Sequence, residues 1–384
     1  MIPATLTLLP FATGGLGWLI GRYFWQKTTS EQNNNLPADY FVGLNYLINE
    51  QPDKAVDVFI RLLEVNSETI ETHLALGSLF RRRGEVDRAI RMHQNLIARP
   101  QLSKHYRAQA LEALGQDYLH AGVLDRAEKL FLELVEMGEK NIPSLRSLLH
   151  IYQQEKDWLQ AIETAQKLAA VSGETMDPTI AQYYCEIAEQ VMEEGAMHQA
   201  SRYLKRAKAI DPDCVRASLM RGNIEYQQGQ FSEAIRYYQQ VPEQDISYMS
   251  MVLPLISQCY KHLKQHAEFI NYLKKILQKE HLVSVVIVIA EHIKNETSYK
   301  AAIEFVTEQI KIHPSLLGLI FLIDLYCQTT TGDIQQKLIM LHGFMNQLIA
   351  NKAAHQCQQC GFSGQSMYWL CPGCHQWNTI KPIN

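Results

Sequence analysis

The sequence predicts an all-α chain of repeated helix pairs, preceded by an apolar helix and closed at its C-terminus by a small metal-bound module. Three observations carry this reading. A small residue returns at a near-constant interval, four cysteines form two close pairs near the end, and the first residues carry no charge.

The interval is read from Ala55, Ala89, Ala127, Ala161, Ala200, Ala234, a position near Ala267, and Ala301, with steps of 34, 38, 34, 39, 34, 33 and 34 residues. A period of about 34 residues belongs to tetratricopeptide repeats, and the longer steps fit extended helices or loops. Gly84, Gly122, Gly195 and Gly229 each stand five residues before their alanine, where the turn between paired helices needs a permissive backbone. Phe59, Phe131, Leu204, Tyr238 and Phe305 follow four residues later, on the same helix face. Gly77 and Phe80 fit the first helix of the second unit, and Asp211-Pro212 closes another unit. A single helix pair cannot bury its apolar face, so pairs stack into a superhelix. About eight units, some degenerate, run from Tyr40 into the 300s, with a last helix over Leu338–Ala350. The apolar run His281–Ala290 is too short to span a bilayer and is expected to be a buried repeat helix despite its β-rich composition.

Cys357, Cys360, Cys371 and Cys374 form two Cys-x-x-Cys pairs with ten residues between them. Each pair lets two thiolates of one tight turn face a single ion, and four sulfurs suit the tetrahedral preference of zinc, with iron as the alternative. From Ala353 to Ile380 there is no Lys, Arg, Asp or Glu. Phosphate contact needs basic residues, so a nucleic-acid ribbon is not expected. The segment carries Phe362, Met367, Tyr368, Trp369 and Trp377 instead. These are expected both to form the ribbon's small core and to dock on another protein surface, most simply on this same chain. Metal binding would supply folding energy of about 10–16 kcal/mol, as in small zinc modules.

Ile2–Gly21 holds no charged residue, and 20 helical residues cover about 30 Å, the thickness of a bilayer core. A cleaved signal would need a basic region ahead of the apolar run, and only Met1 and Ile2 precede Pro3. Arg22 and Lys27 follow the span, which places the body in the cytoplasm. A single-pass anchor over 1–21 is therefore expected, then a linker over 22–38, repeats over 39–350 and the metal module over 351–384. Gly14, Gly17 and Gly21 have the small-residue spacing of helix–helix contacts in lipid, although lax composition alone explains them equally well.

Net charge of −4 and a pI near 6.4 argue against general nucleic-acid binding. Cys185, Cys214, Cys259 and Cys327 are scattered singly and read as buried apolar residues of a reducing compartment. The sequence holds no phosphate-binding loop, zinc-protease helix, nucleophile elbow or dinucleotide fingerprint. His73, His93, His120 and His150 are expected to be packing or surface residues rather than ligands. Arg81-Arg82-Arg83 ends a helix and is expected on a solvated face, with a membrane-surface or acidic-partner contact as the alternative.

Three segments carry a resemblance to a known family. They are Gln51-Pro52-Asp53-Lys54-Ala55-Val56-Asp57; Leu79-Phe80-Arg81 with Gly84-Glu85-Val86-Asp87-Arg88-Ala89-Ile90; and Tyr368-Trp369-Leu370-Cys371-Pro372-Gly373-Cys374 with Trp377 and Thr379–Ile383. Together with the order anchor, repeats, four-cysteine knuckle, they resemble the lipopolysaccharide assembly protein B family of Gram-negative inner membranes. The resemblance implies a rubredoxin-type domain packed on the repeats, with the four cysteines as ligands. It implies a non-enzymatic regulator that acts with the membrane protease FtsH to promote degradation of LpxC, the lipid A deacetylase. It also implies an inner-membrane sensor protein that contacts the transmembrane helix. A membrane-tethered scaffold for lipopolysaccharide enzymes is the alternative, and self-association is open.

Overall fold

The computed structural model describes residues 38–49, 51, 54–55, 58, 70–350 and 352–383. The predicted anchor, the linker up to residue 37 and Phe59 lie outside them. Among the described residues no helix is long and apolar enough to cross a membrane. The chain divides into two compact units, Met1–Lys140 and Asn141–Asn384.

The first unit holds α1 (Ala38–Ile48), α2 (Ile70–Arg82), α3 (Val86–Ile97), α4 (Lys104–His120) and α5 (Leu124–Glu136). The second holds α6 (Asn141–Glu155), α7 (Trp158–Ser172), α8 (Asp177–Glu193), α9 (Met197–Ile210), α10 (Val215–Gln227) and α11 (Phe231–Gln244). After a short 3₁₀ turn over Ile246–Tyr248 come α12 (Met249–Leu263), α13 (His266–Lys279), α14 (Val283–Glu296), α15 (Tyr299–Ile312), α16 (Leu316–Thr329) and α17 (Asp333–Ala350). From α2 onward these are consecutive helix pairs, a mostly helical tetratricopeptide-repeat fold. The last helix begins earlier than the sequence suggested, at Asp333, and pairs with α16.

The pairs follow the sequence logic closely. Gly84, Gly122, Gly195 and Gly229 all have left-handed backbones, φ between +72° and +83°, and each turns the chain from one helix to the next. Ala89, Ala127, Ala161, Ala200 and Ala234 are fully buried. Phe131, Leu204 and Tyr238, four residues on, are buried completely. Each of Phe131 and Tyr238 lies over a glycine of the preceding helix, Gly115 and Gly222, where a Cβ would stand 2.7 and 2.3 Å from the ring. Gly77 and His93 repeat this relation, so His93 fills the large-residue position of its unit.

Three expectations are corrected. Ala267 is exposed; its unit instead buries Phe269, five residues after Lys264, which takes the turn glycine's left-handed conformation at φ 57°. The crossing residue of the next unit is Ala302 rather than Ala301, with Val306 buried four residues later and Phe305 only partly so. Both slips come from a small residue standing near the true crossing point. Arg81 is not a solvated charge: it reaches from α2 to the buried Asp117 at 2.7 Å and to the Ala113 carbonyl at 3.1 Å on α4. The apolar run near residue 285 is helical, and α14 buries Val285, Val286, Ile289 and Ala290 in the second unit's core. Packing on both sides overrides the strand preference of its β-branched residues.

After α17 the chain forms a three-stranded antiparallel sheet of β1 (His355–Cys357), β2 (Ser363–Gly364) and β3 (Ile380–Pro382), ordered β2-β1-β3. Cys357 pairs with Ile380 and His355 with Gly364 and Pro382. The sheet seats the two cysteine turns within the second unit.

Candidate metal centre

The first cysteine turn follows β1. The amide of Cys357 donates to the Phe362 carbonyl at 2.7 Å, and Gly361 closes the turn onto the Cys357 carbonyl at 3.1 Å. The second repeats it: Cys371 donates to the Gln376 carbonyl at 3.0 Å, and His375 donates to the Cys371 carbonyl at 2.9 Å. The residue after each second cysteine is left-handed, Gly361 at φ 77° and His375 at φ 53°. The two turns are thus near copies facing each other.

All four Sγ atoms lie within 4.8 Å of one another. Cys357 Sγ is 3.8 Å from Cys374 Sγ, and Cys360 Sγ is 3.6 Å from Cys371 Sγ. A tetrahedron with metal–sulfur bonds of about 2.3 Å has edges of about 3.8 Å, so these two pairs already stand at the spacing a single ion requires. Gly373 leaves the needed room, since a Cβ there would approach Cys360 Sγ to 3.2 Å. Cys357 and Cys371 are buried, whereas Cys360 is exposed. The Thr379 hydroxyl, 3.3 Å from its sulfur, and the N–H groups of Cys360 and Gln359 at 3.5 and 3.4 Å pull the Cys357 thiol down to about 6 against its burial. That environment favours the Cys357 thiolate, the form that binds metal, whereas at Cys360 the pull of the Phe362 N–H is outweighed by desolvation and hydrogen bonds to the other three sulfurs, which push that thiol up to about 12. Four sulfurs close the coordination shell, which suits a structural ion rather than a catalytic one with an open position.

The ribbon's aromatic residues divide between two tasks. Phe362 and Met367 pack with Cys357, Cys371 and Ile380 in the ribbon's own core. Met367 also reaches the repeat core, joined there by Trp369. Trp369 stacks on Tyr248 with centroids 5.7 Å apart, and the Arg216 guanidinium lies 5.8 Å from the Trp369 centroid. Trp377 meets Trp158 and Tyr183 edge-on at 6.3 and 5.9 Å. Tyr368 alone of the five remains exposed. The expectation of docking on this same chain is met, and the absence of charged residues from Ala353 to Ile380 lets these rings leave water.

Polar contacts fix the register of the dock. The Tyr248 hydroxyl lies 3.0 Å from Asn378 Oδ1 and 3.1 Å from the Ile380 carbonyl. Lys381 on β3 forms an ion pair with Asp245 and also lies 4.5 Å from the Tyr248 centroid. Burial pushes the Asp245 carboxyl up, but Lys381 and Ser247 outweigh it and hold the group below its ordinary value. Arg216, itself buried, is held by Glu186 and Glu189 at 2.7 and 2.5 Å.

Residues 355–382 match the rubredoxin metal binding domain, and residues 72–104 and 191–245 match tetratricopeptide repeats. The chain is 35% identical to lipopolysaccharide assembly protein B of Escherichia coli strain K12, over all of this chain and 98% of that one. It is 34% identical to the protein of the same name from Haemophilus influenzae, over all of this chain and 99% of that one. This chain belongs to the lipopolysaccharide assembly protein B family. Membership accounts for the order of repeats and four-cysteine ribbon along the whole chain.

The four cysteines named from sequence are the residues the fold gathers. Sequence reasoning missed their support: Trp158, Tyr183, Arg216, Asp245 and Tyr248 on the repeats, and Asn378 and Lys381 on the ribbon. Their partners lie more than a hundred residues away along the chain, and such pairs leave no local pattern. Of the histidines, His73 and His93 are buried packing residues and His120 and His150 lie at the surface.

Proposed function

We propose that this chain is a non-enzymatic regulator of lipopolysaccharide biosynthesis at the inner membrane. In this reading it is an adaptor that brings LpxC to the membrane protease FtsH. The observation that carries the proposal is its full-length likeness to proteins named for lipopolysaccharide assembly, combined with a ribbon locked onto repeats. Repeat arrays bind other proteins, and a docked ribbon adds a second rigid surface beside them.

Residues 1–21 act as a single-pass anchor, 22–38 as a linker, 39–350 as the repeats and 351–384 as the metal-binding domain. The anchor holds the body on the cytoplasmic side, and an inner-membrane sensor protein contacts it there. Tethering raises the effective concentration of the body at a membrane protease without any new contact. Cys357, Cys360, Cys371 and Cys374 ligate one ion, taken to be zinc. Bound there, the ion supplies folding energy and rigidity. Trp369 and Trp377 pass that rigidity to the repeats.

The test is the half-life of the lipid A deacetylase in cells with and without this chain, the protease being intact. A half-life that lengthens on depletion supports the adaptor. An unchanged half-life rejects it and leaves a tethered scaffold, which co-purification with lipopolysaccharide synthesis enzymes would then test.

A further inference from the structure

The array of helix pairs ends at α17, and the outer side of that helix is apolar. α17 packs on α16, and its half-buried residues Leu338, His342, Met345 and Ile349 recur at helical spacing. With the ribbon in place, Ile334, Leu341, Phe344 and Leu348 remain 62, 46, 55 and 66% exposed, and Met340 58%. At 3.6 residues per turn these five share one stripe about 120° wide. A terminal repeat ordinarily presents a polar outer face. Here the stripe holds one charged residue, Lys337, and that is paired with Asp333 at 2.6 Å. The five side chains expose roughly 550 Å², near the top of the range for the largest apolar patch on a monomer, about 300–600 Å².

The stripe is also symmetric. Ile334 and Leu348 stand seven residues before and after Leu341. A two-fold axis through Leu341 would set Leu341 on Leu341 and Ile334 on Leu348, apolar on apolar. Lys337 and its copy would then lie about 12 Å apart along the helix axis, whereas a parallel pair would bring these like charges together. Two such stripes would remove about 1,100 Å² from water, past the roughly 1,000 Å² that marks a specific interface. A lipid surface fits less well. Helices that lie on lipid flank their apolar side with Lys and Arg, and α17 has only the paired Lys337.

We propose that α17 docks antiparallel on α17 of a second copy of this chain, with Leu341 at the two-fold axis. The second copy supplies the apolar cover that the last helix pair of the array lacks.

The test is crosslinking of the full chain in cells with a short, membrane-permeant bismaleimide. Leu341→Cys should give a dimer through its own two sulfurs. Differently tagged chains carrying Ile334→Cys and Leu348→Cys should link to each other about tenfold more than either links to itself, because like positions would lie about 20 Å apart. Phe344→Glu should lower the Leu341→Cys dimer about tenfold by placing a carboxylate in the apolar seam, while Phe344→Leu should keep it. The chain without added cysteine sets the background, and metal content with helical circular dichroism of each purified variant controls for folding. No dimer through Leu341→Cys overturns the proposal, as does Ile334→Cys linking to itself as readily as to Leu348→Cys. A dimer that Phe344→Glu leaves untouched overturns it too. If Leu341→Cys links to other proteins and not to its copy, the stripe belongs to a different partner and the proposal falls.

Discussion

Asp117 receives the Nδ1–H of His93 at 2.5 Å in a site closed to solvent on both sides. A carboxylate only accepts hydrogen bonds, so His93 must carry its proton on Nδ1. The other carboxylate oxygen holds Arg81 at 2.7 Å, which ties α2, α3 and α4 together through one side chain. Replacing Asp117 with Ala would leave the imidazole and guanidinium buried without their shared acceptor. Breaking one partner out of a buried charged network costs about 3–5 kcal/mol. Urea unfolding followed by circular dichroism should report a loss of that size, with metal content unchanged because the ribbon belongs to the other unit.

Glycines in helices give an opposed pair of expectations. A Cβ on Gly77 would stand 2.3 Å from the His93 ring, and neither the buried ring nor α2 can yield cheaply. Gly77→Ala should therefore destabilise by about 1–3 kcal/mol or more through overpacking. Gly343 lies within α17, and a Cβ there meets nothing within 4 Å. Gly343→Ala should stabilise by about 0.5–1 kcal/mol by removing backbone freedom from the unfolded chain. Denaturation midpoints moving the same way in both variants would contradict the packing described for α2 and α3.

The repeat was legible because its causes are local. A left-handed turn at Gly84 or Gly229 and a crossing at Ala89 or Ala234 are fixed by sterics within one helix pair. The metal turns were legible for the same reason, each being complete within a few residues. His93 was harder, since a polar residue in a large apolar position makes sense only once Asp117 is brought to it from α4. The dock was legible in kind but not in detail. A stretch from Ala353 to Ile380 without charge and rich in rings must bury them somewhere, yet nothing near Trp377 in sequence points to Trp158 and Tyr183.

Acid should loosen the dock before it unfolds the helices. The Asp245 carboxyl is held below its ordinary value by Lys381 and Ser247 in spite of burial. A group whose pKa falls on folding stabilises the folded state above its unfolded value, about 3.9, and that contribution is lost as pH drops through the folded value. Between neutral pH and about 5 the dock should be insensitive to this group, with weakening below about 4. Asp245→Asn should remove that part of the acid dependence. Tryptophan emission from Trp369 and Trp377 would record it, and an unaltered acid limb in the variant would mean the ion pair contributes nothing.

His375 occupies the left-handed position that Gly361 fills in the first cysteine turn. A side chain there strains the backbone by about 1 kcal/mol, and His375 is exposed, so truncation sacrifices little contact. His375→Gly should bind metal at least as tightly and resist thermal release of the ion slightly better. A competition titration with a chelator measures this directly. Weaker binding would mean the imidazole makes an attractive contact that outweighs the strain.

The dock and the metal should be separable in one direction only. Cys371→Ser with Cys374→Ser removes two sulfurs and should release the ion, taking with it about 10–16 kcal/mol of ribbon folding energy. Trp369 and Trp377 would then lose their places against Tyr248 and Tyr183, and their emission should shift to the red while helical circular dichroism persists. Trp377→Ala leaves every sulfur in place but deletes the ring wedged against Trp158 and Tyr183, at a cost of about 3–5 kcal/mol. That variant should retain its metal while the ribbon exchanges amide hydrogens faster and becomes open to protease. If it lost metal as readily as the cysteine variant, repeats and ribbon would fold as one cooperative body, and the ion would depend on the dock as much as the dock depends on the ion.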